Sequence, residues 1–317
     1  MTDGDRTGSP GVFLTGAAGF VGRYVLTALL DNGYRVVALQ RRTQLPPELQ
    51  ARCERVLSGD IRDPYVRQEG LRHVQFVCHL SAYIPAGLDD LNEAAQCYQL
   101  NADTTLALAT AASELGIRRF VQFSTGNMYA PSVRPCTESD SLFPTVCAPG
   151  YFVSKFAAEI YVTHLCERTG MEGVILRIGT PYGPGEPSRK VIPTFLRLAA
   201  QGQPLCILNG GSSKFNFVCA ADVAECTVRS LEGGPPGIYN VASGEHTSLR
   251  DLADAVLELY GRPEAALHVK PATRGAFPGF PALSIEKARQ AWRFRPRSLA
   301  AGLRQYRESL ARDVGHP

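Results

Sequence analysis

The sequence predicts an α/β fold, a doubly wound parallel sheet with a smaller C-terminal lobe. Three observations predict it. Short β-rich runs alternate with helical patterns through the first 180 residues, the rhythm of βαβ units. A turn with three glycines, "LTGAAGFVG" at 14 to 22, lies between the first such run and the first helical segment. After Pro181 the spacing loosens and proline and glycine become more frequent, as in a second lobe of helices and short strands.

In order, "GVFLTG" reads as a strand and 20 to 32 as a helix, and "RVVAL", "RVLSG" and "FVCHL" are the next strands. A long helix across 92 to 115, the strand "RFVQFS", a helix from 151 and the strand "GVILRI" complete this part. Helices near 190 to 201, 221 to 231, 248 to 260 and 298 to 312 follow, separated by short strands such as "PLCIL" and "KFNFV". The strand "GIYNVAS" can send the chain back to the main sheet. The implied division is a main α/β domain over 10 to 180, with a return segment near 215 to 245, and a smaller, cap-like lobe mainly over 181 to 317.

Composition narrows the function classes. The 317 residues are 44% hydrophobic and 20% charged with a net charge of +3, which marks neither a nucleic-acid-binding nor a membrane-surface protein. The polar start "MTDGDRTGSPG" and the lack of an apolar run long enough for a membrane span predict a soluble, cytoplasmic protein. Nine cysteines without a C-x-x-C pair, and six histidines without H-E-x-x-H spacing, predict reduced thiols and no metal site.

The glycines at 16, 19 and 22 follow a strand and open a helix, where backbone N–H groups and the positive helix end can hold a pyrophosphate. The competing reading is a tight turn with close helix packing. The second strand ends "VVALQRR", where a dinucleotide fold places the residue that meets the adenosine ribose. Gln40 is not an acid and Arg41 and Arg42 follow it, so NADP is favoured over NAD; otherwise both arginines sit on a solvated loop. "SGDIRD" puts Asp60 and Ile61 at the end of the third strand, suited to an adenine or to a plain turn with a helix cap.

In "YFVSK", Tyr151 and Lys155 stand four apart on one helical face, where an ammonium can stabilise a tyrosinate and lower the phenol pKa. Such a tyrosine can exchange a proton with a carbinol. Thr125, at the end of a strand in "FSTGNMY", can hydrogen-bond the same substrate oxygen, or its hydroxyl is satisfied by backbone.

At these residues the chain resembles an extended short-chain dehydrogenase/reductase of the nucleotide-sugar epimerase/dehydratase type, over nearly its whole length. "TGAAGFVG", "GDIRD", "HLSA" at 79 to 82, Asn101, "FSTGNMYA", "YFVSK", "LRIGTPYGPGE" and "YNVASGEHTSLRDLA" fall in the family's order. The resemblance implies a Rossmann domain with a C-terminal substrate lobe. It implies that Tyr151 is the acid/base, Lys155 holds the nicotinamide ribose, and Thr125 positions the substrate oxygen, with Asn101 in the catalytic set. It also implies a cofactor site that includes Phe20, Val21, Leu80, Ser81 and Ala82 besides the glycines, Gln40 to Arg42, Asp60 and Ile61. A homodimer through the helices at 92 to 115 and 151 to 168 follows from the same resemblance.

Departures from the family pattern limit the chemistry. The family's 4,6-dehydratases carry an Asp-Glu pair after the threonine, and here Gly126 and Asn127 stand there. The double epimerase-reductases use a cysteine two residues before the motif tyrosine, and here Asn127 precedes Tyr129. Where members that bind a nucleotide diphosphate present "RDFVYVDDVA", this chain has "FNFVCAADVA", with Phe215 and Asn216 replacing Arg-Asp. Lys214 and Arg274 are the remaining candidate cations, or else solvated charges of the lobe, beside Thr125, Asn127 and Thr180 as substrate residues, the last standing where many members have asparagine. The expectation is hydride transfer on a nucleotide-activated sugar, with 4-ketoreduction slightly ahead of 4-epimerisation. Reduction of a non-nucleotide ketone or aldehyde, and a non-catalytic dinucleotide sensor, are the other readings.

Overall fold

The computed structural model describes residues 8–85, 92–143, 148–273, 275 and 277–314. The run Gly11–Thr15 forms strand β1 with every residue buried, as an apolar run does in a parallel sheet covered on both faces. Helices and strands then alternate: α1 (Phe20–Asp31), β2 (Arg35–Gln40), α2 (Pro47–Gln50), β3 (Arg55–Ser58), α3 (Pro64–Leu71) and β4 (Phe76–His79). They continue with α4 (Asn92–Cys97), α5 (Thr104–Glu114), β5 (Arg119–Thr125), α6 (Pro149–Thr169) and β6 (Glu172–Ile178). The long helix expected over 92 to 115 is interrupted by a π-helical turn, Tyr98–Asp103. Helix α3, foreshadowed only as the helix cap offered at "SGDIRD", starts at Pro64 behind Asp63, whose carboxylate accepts the Tyr65 N–H at 2.9 Å.

The remaining elements are β7 (Thr180–Tyr182), α7 (Val191–Ala200), β8 (Leu205–Ile207), β9 (Lys214–Phe215), β10 (Phe217–Cys219) and α8 (Ala220–Glu232). After them come β11 (Gly237–Val241), β12 (Thr247–Ser248), α9 (Leu249–Leu259), β13 (Leu267–Val269), α10 (Glu286–Trp292) and α11 (Leu299–Val314). Among the described residues, seven parallel strands form the main sheet in the order β11-β6-β5-β4-β1-β2-β3, so "GIYNV" does return to its edge. Chain order reverses between β1 and β4, and a ligand crevice opens at such a switch point.

Apolar side chains of α3, α5 and α6, among them Leu71, Leu108 and Val162, cover one face of the sheet. Those of α1, α8 and α10, including Leu26, Val223 and Trp292, cover the other. A separate core gathers Phe195, Leu196, Leu252, Val256 and Leu303 from α7, α9 and α11. The expected strand "KFNFV" is two strands: β9 pairs antiparallel with β12, and β10 pairs parallel with β7. Asn216 breaks it, because its buried amide donates to Pro281 O at 2.8 Å and accepts the Leu283 N–H at 3.0 Å.

Candidate active site

The glycine turn separates into two kinds of glycine. Gly16 adopts a φ of 72°, and a Cβ there would lie 2.8 Å from the Ser81 backbone nitrogen. A Cβ on Gly22 would lie 1.9 Å from Gly16 O, so Gly22 lets α1 pack on the turn. Gly19 has no such need: it is exposed, and the nearest atom to its would-be Cβ is Gly16 O at 3.2 Å. It precedes α1, whose first turn has no side-chain cap and no acidic residue. The cradle therefore fits the pyrophosphate of a dinucleotide, held by helix N–H groups that no side chain blocks. Phe20 and Val21 are half-buried beside it; across the switch point Leu80 and Ser81 are half-buried and Ala82 is exposed.

At the ends of β2 and β3 the candidates meet. Gln40 is buried, and its amide is engaged within the protein, donating to Ser58 Oγ at 3.1 Å and accepting the Leu45 N–H at 2.8 Å. The ribose role expected of Gln40 thus competes with its hold on the 41 to 45 loop. Arg41 Nη1 lies 3.2 Å from Asp60 Oδ2, while Arg42 is exposed and has no hydrogen bond to a described residue. Asp60 is held mainly by Arg62, through Nη2 at 2.7 Å and Nε at 3.0 Å, and these bonds keep its carboxyl well below the usual carboxylate range. Ile61 is buried in the core beneath. Two guanidinium groups, those of Arg41 and Arg62, thus share one carboxylate. Arg62 was not identified from sequence, because only the fold brings it beside Arg41. Arg62 and Arg67 also line a cavity of about 360 Å³ with Gln99, Asp103 and Thr104.

Helix α6 carries Tyr151 in its first turn and Lys155 one turn later, starting with Pro149 after Ala148 in a left-handed conformation. Lys155 is 3% exposed, and its ammonium has no hydrogen bond to a described residue. Burial pulls its pKa down to about 8, against the field of Glu159. Burial pushes the Tyr151 phenol up to about 12. Lys155 does not lower it, contrary to the sequence expectation, so in the protein alone the phenol is firmly protonated. Thr125 ends β5; its Oγ1 accepts the Asn127 N–H at 3.2 Å, which leaves its own proton to donate.

Asn101, buried in the π-turn, is fully engaged. Its Oδ1 accepts the Tyr83 N–H at 2.6 Å, and Nδ2 donates to Tyr83 O at 2.9 Å and to Ser154 Oγ at 3.0 Å. It supports helix α6 through Ser154 and has no amide proton left for a substrate. Ser124 Oγ, Asn127 Oδ1 and Thr180 Oγ1 are buried without a partner among the described residues. Ser124 is the member of this set that sequence alone did not single out.

The far end is aromatic. Phe152 and Phe280 rings lie 6.2 Å apart, Phe280 and Phe215 5.9 Å, and Phe277 and Phe280 5.1 Å, so a wall of rings, half-buried but for the buried Phe152, adjoins Tyr151. Lys214 is exposed on β9 next to Phe215. Arg274 lies outside the described residues. Among the described residues there is no metal-binding cluster of His, Cys, Asp or Glu, and no helix long and apolar enough to cross a membrane.

A parallel sheet with a switch-point glycine cradle, followed by a strand-end threonine and a helical Tyr-x-x-x-Lys pair, defines an extended short-chain dehydrogenase/reductase. Residues 12–242 match the family model described as NAD dependent epimerase/dehydratase family, and the chain belongs to that family of nicotinamide-dinucleotide enzymes. It is 31% identical to a dTDP-D-glucose 4,6-dehydratase of Mus musculus over 80% of this chain and 76% of that one. It is 30% identical to a dTDP-4-dehydro-6-deoxy-D-allose reductase of Streptomyces bikiniensis over 95% of this chain and 96% of that one. A dTDP-glucose 4,6-dehydratase from Streptomyces venezuelae, solved with NAD bound, superposes with a TM-score of 0.81 at 25% identity, covering 96% of this chain and 98% of the other.

Proposed function

We propose that the chain is an NADPH-dependent reductase of a nucleotide-activated 4-keto deoxysugar. The observation that carries the cofactor half is the end of β2, where no free carboxylate is offered to a ribose hydroxyl: Gln40 is tied within its loop, Arg41 and Arg62 hold Asp60, and Arg42 is exposed without a described partner. Three guanidiniums suit a 2′-phosphate. The near full-length match to a 4-ketosugar reductase supports the reaction half. Dehydration is disfavoured despite the dehydratase relatives, since Gly126 and Asn127 supply neither acid nor base.

In this reading a bound nicotinamide dinucleotide supplies the hydride. The Tyr151 hydroxyl, kept protonated by burial, gives its proton to the carbonyl oxygen as that oxygen gains charge. Thr125 Oγ1 donates a hydrogen bond to the same oxygen. Lys155, buried and without a described hydrogen-bond partner, holds the nicotinamide ribose. Asn127, Thr180 and Lys214 face the sugar nucleotide, and the core of α7, α9 and α11 builds the substrate lobe.

A recycling 4-epimerase is the alternative, and one assay separates them. Nucleotide released by denaturing fresh protein is identified by mass spectrometry, and NADPH and NADH binding to the emptied protein are compared. Little bound nucleotide and a preference for NADPH support the reductase; near-stoichiometric NAD overturns it. The aromatic wall around Phe215 favours one further reading, reduction of a non-nucleotide ketone or aldehyde, which requires that a ketosugar nucleotide fail to saturate the enzyme. For assembly we propose a homodimer: Tyr98, Val153 and Ile160 are 46%, 43% and 50% exposed on the helices expected to pair. A monomer mass by light scattering at micromolar concentration contradicts it.

A further inference from the structure

An unbroken hydrogen-bonded chain runs from the strand that ends in the glycine turn to the helix that carries Tyr151, and His79 is its centre. Ser81 N–H donates to Thr15 Oγ1 at 3.2 Å, and Thr15 Oγ1 lies 2.7 Å from His79 Nδ1. On the other side His79 Nε2 lies 3.0 Å from Thr105 Oγ1, which donates to Asn101 O at 2.5 Å. These contacts fix the tautomer. The only proton of the Thr105 hydroxyl is committed to Asn101, so the proton between His79 and Thr105 belongs to Nε2. A neutral ring then accepts at Nδ1 from the Thr15 hydroxyl, and each proton in the chain is used once. His79 is 1% exposed, and burial with the nearby Lys155 ammonium pushes its pKa down to about 3, so the ring stays neutral at working pH.

The chain ends where the chemistry is proposed. Asn101 sits in the widened π-turn, and the Thr105 bond to its carbonyl braces that turn. Its amide holds Ser154 Oγ, and Ser154 donates to the Tyr151 carbonyl at 2.7 Å. We infer that His79 is a positioning residue which, as the Nε2–H tautomer, braces the π-turn and thereby sets the first turn of α6 against the glycine turn. The inference rests on the reading of Tyr151 as proton donor only for its kinetic consequence.

The test uses His79→Leu, which removes both bonds, and His79→Gln, whose amide keeps one acceptor and one donor. In the Leu variant kcat should fall roughly 10- to 100-fold with NADPH affinity within about threefold of wild type. Amide exchange should accelerate over 98–105 and 149–155 relative to the rest of α5 and α6. The Gln variant should recover most of both. In the wild type, nitrogen NMR should report a neutral Nε2–H imidazole from pH 8 to pH 5. An Nδ1–H or protonated ring, or unchanged kcat and exchange in His79→Leu, overturns the inference. If His79→Leu does not fold, the tautomer and His79→Gln decide, and a folded Gln variant whose kcat falls tenfold or more overturns it. If Tyr151→Phe keeps full activity, the proposed function fails, and the exchange pattern alone judges His79.

Discussion

Replacing the glycines at 19 and 22 one at a time separates a cofactor cradle from a tight turn. In Gly22→Ala the new methyl lies 1.9 Å from Gly16 O, a backbone atom, where ordinary contact begins at 3.4 Å. The N-terminus of α1 and the turn must separate by more than an ångström. Overpacking against backbone costs roughly 3 kcal/mol, a fall in Tm of roughly 4 to 6 °C for a chain of 317 residues. Gly19→Ala meets nothing closer than 3.2 Å, and its φ of −71° and ψ of 169° suit any residue. Its stability should stay within about 1 kcal/mol, because a small helix-cap loss is set against reduced chain entropy. The methyl would nonetheless stand where a phosphate approaches the first N–H groups of α1, so NADPH and NADH should both bind at least about tenfold more weakly. The assay is thermal unfolding beside fluorescence titration with each nucleotide. Wild-type binding of both by Gly19→Ala refutes the cradle, and an unchanged Tm for Gly22→Ala refutes the packing argument.

Three further outcomes follow from the same geometry. Tyr151→Phe should lower the reduction rate roughly 10²- to 10⁴-fold while leaving NADPH binding intact, checked by turnover and titration on one preparation. Arg42→Ser should weaken NADPH binding about tenfold and leave NADH unchanged, since its guanidinium has no described partner to lose; equal losses for both nucleotides contradict a 2′-phosphate contact. Glu186 is 8% exposed, and burial raises its pKa from 4.5 to about 7. The unfolded chain therefore releases this proton first, and stability falls as pH rises from about 4.5 to 7. The destabilisation persists above that and reaches at most roughly 3 kcal/mol. Glu186→Gln should raise Tm at pH 8 and scarcely change it at pH 4.5, measured by calorimetry across that range.

The alternation of strands and helices was legible because each main-sheet strand is an apolar run bounded by turn residues, from "GVFLT" to "GIYNV". What was not legible depends on side chains reaching distant backbone. Asn216 splits an expected strand by holding Pro281 and Leu283, more than sixty residues away. The π-turn around Asn101 has no periodic signature, because it is held by Tyr83, Thr105 and Ser154. At the site, Tyr151, Lys155 and Thr125 announce themselves by spacing, whereas Arg62, Ser124 and His79 acquire meaning only from their neighbours. The expected lowering of the Tyr151 phenol failed for a related reason: sequence spacing says nothing about burial, which dominates there.

The central claim is net reduction at a ketone with hydride drawn from exchangeable NADPH. The most direct test incubates the enzyme with a nucleoside-diphosphate 4-keto-6-deoxysugar and NADPH deuterated at the transferring carbon, then weighs the product. The account predicts one deuterium at C4 of the product and one NADP formed per sugar consumed. A product without deuterium, or turnover without net NADPH consumption, contradicts it.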